Sequence, residues 1–276
     1  MTTSVVVATT AVTLVAAVRS TWSPCGLSML ASITPLSEVG RGHRFRTTAS
    51  WYVAGSIVGG ATLGLGVAAL TVAVDALSPS PQTGVLVALA ASAVAVLSDT
   101  RLGGFQLPLH RRQVNERWLD RFRPWVYGAG FGWQIGSGLA TYIMTSAVYL
   151  MILLSTLTGQ PLFGIALGVL FGLVRGLSVC LGRHITSAEA LTDFHRRFFA
   201  WGPNVRRITV AVEVAVTVVF AVVLSPWAVL SLGVVALLWT MALVVRRGAA
   251  TASGSRAHGS TGVPSGDLVK GRASSR

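Results

Sequence analysis

The sequence predicts an all-α polytopic membrane protein with about seven transmembrane helices, built as an inverted three-helix repeat plus one C-terminal span. Three observations carry this expectation. Hydrophobic residues make up 52% of the 276-residue chain and charged residues only 11%, whereas an ordinary soluble domain averages about 25% charged. Apolar runs recur at lengths near the roughly 20 residues that cross a bilayer as helix. The connections between them alternate between strongly basic and devoid of Lys and Arg.

The apolar segments are 3–36, 48–77, 83–98, 125–157, 162–182, 208–224 and 228–245. Basic residues gather in 41–46, 101–123, 183–207 and 246–276, and 20 of the 22 Lys and Arg therefore fall on one side. The positive-inside rule makes that side cytoplasmic. The N-terminus is then outside and the C-terminus inside, in a multi-pass protein of the cytoplasmic membrane. The net charge of +13 thus reads as a topology signal. It implies the lipid bilayer and its anionic headgroups as partner, and no nucleic acid. Met1-Thr2-Thr3-Ser4 lacks a basic n-region, so no cleaved signal peptide is expected.

Residues 1–245 are expected to form one integral membrane domain, with repeat one over about 3–99, repeat two over about 125–224 and the extra span at 228–245. Residues 246–276, rich in Ser, Gly, Ala and Thr, cannot bury a core and read as a disordered basic cytoplasmic tail. Phe194–Trp201 reads as an amphipathic piece lying at the membrane interface.

Segments one and four carry the repeat. Each is too long for a single crossing: a helix over 3–36 would run ~50 Å through a ~30 Å hydrocarbon core. Each holds helix-breaking residues near its middle, Ser23-Pro24-Cys25-Gly26 in the first and Gly128, Gly130, Gly132, Gly136 and Gly138 in the fourth. Each is followed by a span with glycines four apart, Gly55 and Gly59 in one case and Gly164, Gly168, Gly172 and Gly176 in the other, a spacing that lets helix backbones approach closely in lipid. Interrupted spans in matching positions of two inverted halves point to a site at the membrane midplane.

The Ser-Pro-Cys-Gly break is the best candidate for chemistry. Serine can cap a helix and proline suits its first position, so Cys25 would sit in the first turn of a second half-helix. Free N–H groups there favour a thiolate, and they would equally bind a small anion; an inert kink is the third reading. The second cysteine, Cys180, continues the glycine ridge of segment five by one more step of four. Within the spans, Arg19 and Glu213 form a natural ion pair, while Arg175 is placed to snorkel to the cytoplasmic face. Pro24, Arg19, Gly132, Gln134, Gly136 and Glu213 are the candidate substrate-site residues, with Cys25 and Cys180 the candidate catalytic ones. Asp75 and Asp99 read as interfacial. None of the five histidines has metal-ligand spacing, and no phosphate-binding or dinucleotide-binding loop is present, so neither metal nor cofactor is expected.

Trp22-Ser23-Pro24-Cys25-Gly26-Leu27-Ser28-Met29-Leu30, followed by a short basic loop and a Gly-rich second span, resembles the CcdA / DsbD transmembrane-domain family. The resemblance implies six core spans in two inverted repeats. It also implies a Pro-Cys in the first and fourth spans, which together pass reducing equivalents from thioredoxin-like proteins across the membrane, as in cytochrome c biogenesis. Only Pro24 and Cys25 carry over, because segment four reads Gly132-Trp133-Gln134-Ile135-Gly136 with no cysteine. The expected function is therefore a divergent membrane thiol-redox protein. The alternatives are a small-solute transporter using a midplane site between the broken helices and a structural membrane subunit.

Overall fold

The computed structural model describes residues 3–108 and 121–224. The expected seventh span at 228–245 and the tail at 246–276 lie outside the described residues, as do residues 109–120 of the third connection. Within the described residues the chain is helical and contains no strand. Five helices are long and apolar enough to cross a membrane: Thr3–Ser20, Phe45–Ala76, Pro81–Thr100, Pro161–His184 and Ala188–Leu224. The all-α, polytopic class expected from composition is what the chain adopts.

Segment one divides into α1 (Thr3–Ser20) and α2 (Pro24–Ser32), followed by the short α3 (Pro35–Gly40). Segments two and three are α4 (Phe45–Ala76) and α5 (Pro81–Thr100). Segment four divides into α6 (Pro124–Ser137) and α7 (Ala147–Leu157). Segment five is α8 (Pro161–Leu177), which runs on into a 3₁₀ turn at Ser178–His184. The last described element, α9 (Ala188–Leu224), is a single 37-residue helix that passes through Pro203.

Two expectations change here. The break in segment four lies at residues 138–146, C-terminal to most of the glycines taken to cause it. Helical glycines are compatible with an unbroken helix when a neighbour packs against them. The stretch 194–201 is not a separate interfacial piece but the first part of α9. Its Phe198 is buried, stacked on Trp22 with ring centroids 4.3 Å apart and planes 11° from parallel. Its backbone carbonyl also accepts a hydrogen bond from Trp22 Nε1 at 2.8 Å. Phe199 and Trp201 on the same stretch stay exposed.

The architecture is built around α4. Its glycines and those of α6 and α8 interlock, with α6 running parallel to α4 and α8 antiparallel. The closest point is the carbonyl of Ser56, which is faced from one side by Gly136 of α6 and from the other by Gly172 of α8. A β-carbon at either glycine would collide with that oxygen. The glycine ridges read from the sequence are thus the contact faces of this three-helix centre. Around it, α1 packs against α7, α8 and α9, and α5 packs against α9. One apolar cluster joins Val12, Ala16, Leu150, Leu154, Phe171 and Phe220.

Candidate functional site: two helix breaks joined by a buried arginine

The first break occupies residues 21–23. Ser23, in extended conformation, accepts a hydrogen bond from the Gly26 N–H through its side chain at 3.2 Å, and Pro24 takes the first helical position of α2. Gly26 is required because the chain turns so tightly that a β-carbon there would strike the carbonyl oxygen of Thr21. Each residue of Ser23-Pro24-Cys25-Gly26 therefore has a role in restarting the helix, except that Cys25 is left to face inward. It is only 2% exposed and packs in a cluster with Met29, Ile33, Tyr52, Tyr127 and Phe131. Pro24 itself is exposed.

The second break begins at Gly138, whose φ of +69° ends α6. It is lined by hydroxyl groups, since Ser137, Thr141, Thr145 and Ser146 are all buried. Helix α7 is restarted by a side chain from another element. Asp99, near the C-terminus of α5, accepts from the Ser146 N–H at 2.9 Å and from Ser146 Oγ at 2.6 Å through Oδ1, and from Thr145 Oγ1 through Oδ2. Asp99, read from the sequence as interfacial, is a helix cap supplied at long range.

Arg175 of α8 joins the two breaks. It is 2% exposed. One of its terminal nitrogens donates to the carbonyl of Ile135 and, at 3.5 Å, to Thr141 Oγ1. The other donates to the carbonyl of Ser20 at 3.4 Å. Ser20 ends α1 and Ile135 lies in the last turn of α6. Carbonyls at a helix C-terminus lack intrahelical partners and sit at the negative end of the helix dipole. The guanidinium thus neutralises two helix ends at once, and it also stands over the Phe171 ring at 5.5 Å. Among the described residues it pairs with no carboxylate, and its Nε has no hydrogen-bond partner. Arg175 does not snorkel to the surface as expected, because the carbonyls at two helix ends, each also holding one backbone N–H, give its charge a buried counterpart.

The remaining candidates fall elsewhere. Gly132 and Gly136 face the carbonyls of Tyr52 and Ser56 and seat α6 on α4. Gln134 is half-buried on the same helix, where its backbone carbonyl accepts from Ser137 Oγ at 2.9 Å. Arg19 and Glu213 do not pair. Arg19 lies beside Asp99, Arg206 and Arg101, whereas Glu213 is 0% exposed with neither carboxylate oxygen hydrogen-bonded among the described residues. Cys180 is exposed and not joined to Cys25 in a disulfide. The 3₁₀ turn after Leu177 changes the period from 3.6 to three residues, which carries Cys180 off the face defined by the four glycines.

Sequence reasoning passed over Glu38. It is fully buried and accepts from Thr48 Oγ1, from the Tyr127 hydroxyl at 2.8 Å to each oxygen, and from Arg41 at 3.2 Å. It ties α3 to α4 and α6. The signal lay in Thr34-Pro35, which starts a helix one turn before Glu38 by the same cap-and-proline device as Ser23-Pro24.

The chain matches no family model and no solved structure. It is 30% identical over 213 residues to the methylamine utilization protein MauF of Paracoccus versutus, covering 73% of this chain and 72% of that one. It is 33% identical over 171 residues to MauF of Paracoccus denitrificans, covering 59% and 58%. With MauF of Methylophilus methylotrophus it shares 31% identity over 169 residues, 59% of this chain and 57% of that one. These relatives overturn the CcdA / DsbD resemblance. That likeness rested on one short motif around Cys25, and Ser23, Pro24 and Gly26 of that motif are accounted for by the need to restart a helix inside an apolar segment.

Proposed function

The chain belongs to the MauF family of methylamine utilization proteins, and we propose that it serves methylamine utilization as a multi-pass membrane protein working through the Cys25 thiol. The observation that supports this reading most is the placement of Cys25, buried in the first turn of α2 at the break whose preceding helix end, the Ser20 carbonyl, accepts from the buried Arg175. A cysteine in the first turn of a helix meets the free N–H groups of the helix start, surroundings in which thiol chemistry occurs. In exchange with a partner protein's disulfide, Cys25 would lose its thiol proton and attack one sulfur, forming a mixed disulfide as the partner's S–S bond breaks and its second sulfur leaves as a thiol. Cys180, exposed on the 3₁₀ turn, is not joined to Cys25, so a second thiol of the partner would resolve the mixed disulfide.

The test is complementation. A methylotroph lacking its own MauF protein is supplied with this chain, and growth on methylamine is compared for wild type, Cys25→Ser and Cys180→Ser. Loss of growth with Cys25→Ser and normal growth with Cys180→Ser is the expected outcome. Normal growth with both would sink the thiol reading.

A second reading, passage of a small solute between the broken helices, has one observation in its favour. The 138–146 break is lined by the buried hydroxyls of Thr141, Thr145 and Ser146, polar groups of the kind that line transport sites at helix interruptions. Growth that survives loss of both thiols but not Thr141→Val would favour it.

A further inference from the structure

We propose a separate anion site in the cleft between the C-terminal ends of α1 and α5 and the middle of α9, built on Arg19, Arg101 and Arg206 and taking a phosphate-class ligand. Two cavities of about 740 and 130 Å³ open there. They share Arg19, Met144 and Arg206; Arg207 lines the larger and Arg101 the smaller.

The charges in the cleft do not balance. Among the described residues Asp99 is the one carboxylate lining it, and both of its oxygens accept from Thr145 and Ser146. Arg206 is fixed by its Nε and one terminal nitrogen, which donate to the Asp99 backbone carbonyl at 3.0 and 2.8 Å. That leaves its other terminal nitrogen for a ligand. Among the described residues Arg19 is in no ion pair, and its nearest cations are Arg206 and Arg101. The single Asp99 charge faces Arg19, Arg101, Arg206 and Arg207 across the two cavities, and the excess of like charge in a partly enclosed cleft repels unless a further anion sits among them.

The chemistry of the lining selects the ligand. Guanidinium forks match the paired oxygens of a phosphate group. The larger cavity adds an apolar wall from Trp22, Phe199 and Val210, which suits a phosphate carrying a hydrocarbon body. A phospholipid headgroup and free phosphate offer the same charged group, and they are distinguished experimentally. This site is distinct from the Arg175 centre, and its failure would leave the thiol reading untouched.

The test uses the full chain in nanodiscs. Phosphatidylglycerol retention is measured by native mass spectrometry against phosphatidylcholine, and inorganic phosphate is titrated calorimetrically in phosphatidylcholine discs. Selective retention of phosphatidylglycerol that Arg19→Gln weakens about tenfold, with Arg19→Lys intermediate, identifies a headgroup site. Phosphate binding with the same dependence on Arg19 identifies a free-anion site. Arg101→Gln, at an exposed position, is the second variant should Arg19→Gln fold poorly, and it is expected to weaken binding in the same direction. Absence of both binding events in wild type, or binding unchanged in both variants, would overturn the proposal.

Discussion

Between α1 and α2 the chain leaves the helix at residues 21–23, and every device that restarts it is local: Ser23 caps, Pro24 begins and Gly26 gives room for the turn. Between α6 and α7 it leaves the helix over residues 138–146, and the device is borrowed, because the cap for α7 is the carboxylate of Asp99 on α5. The first break is therefore self-contained and places one thiol inward. The second depends on another helix and places several hydroxyls inward. Arg175 is what makes them one centre, since it donates to the carbonyl ends of both α1 and α6. The difference teaches that apolar segments of similar length can be interrupted by unrelated means and still converge on one buried charge.

Removing Arg175 is the most damaging way to break this arrangement. Arg175→Leu leaves the Ile135 carbonyl without its guanidinium donor inside the protein, and the Ser20 carbonyl likewise. Each carbonyl keeps a backbone donor, Gly138 N–H at 3.3 Å and Ser23 N–H at 3.1 Å, so losing the charged donor shared by both is expected to cost about 3 kcal/mol. Thermal denaturation in detergent should show a large drop, and limited proteolysis should open both 21–23 and 138–146. Opening at only one break would separate the two halves of the comparison.

Packing at the α4 centre comes next. Gly136→Ala drives a β-carbon into the Ser56 carbonyl, and overpacking of this kind costs about 1–3 kcal/mol. Gly84→Ala, on α5 with open space around it, is the control and should shift stability by no more than about 0.5 kcal/mol.

The caps sharpen the contrast most finely. Asp99→Ala removes a cap together with the acceptor for two buried hydroxyls, at a cost of about 2 kcal/mol. Ser23→Ala removes one cap bond, at a cost of about 1 kcal/mol. Melting curves that reverse this order would mean that the local break is the more dependent of the two.

The sequence-to-structure record divides along the same line. The Ser23–Gly26 break was legible because its cap, its proline and its small residue all lie within four positions. The glycine ridges were legible because a spacing of four marks one face of a helix whatever that face meets. The position of the second break was not, since Asp99 lies 46 and 47 residues from the groups it caps and the one local cap bond, from Ala147 N–H to Thr145 Oγ1 at 3.2 Å, comes with no proline to mark it. Arg175 was misread for a related reason: its acceptors are the main-chain ends of α1 and α6, which have no side-chain signature in the sequence. Glu38 sits outside every apolar segment, so its burial follows only from α3 folding back between α4 and α6.

The central claim, that Arg175 makes the Cys25 break a working site, is tested most directly by the alkylation rate of Cys25 with a small membrane-permeant haloacetamide. Wild type and Arg175→Gln are compared at fixed pH, with exposed Cys180 as the internal reference. With the protein held folded well below its melting temperature, Arg175→Gln is expected to slow Cys25 relative to Cys180, whose rate is unchanged. An unchanged or faster rate at Cys25 would mean that Arg175 only seals the two helix ends, and the thiol would lose its claim to function.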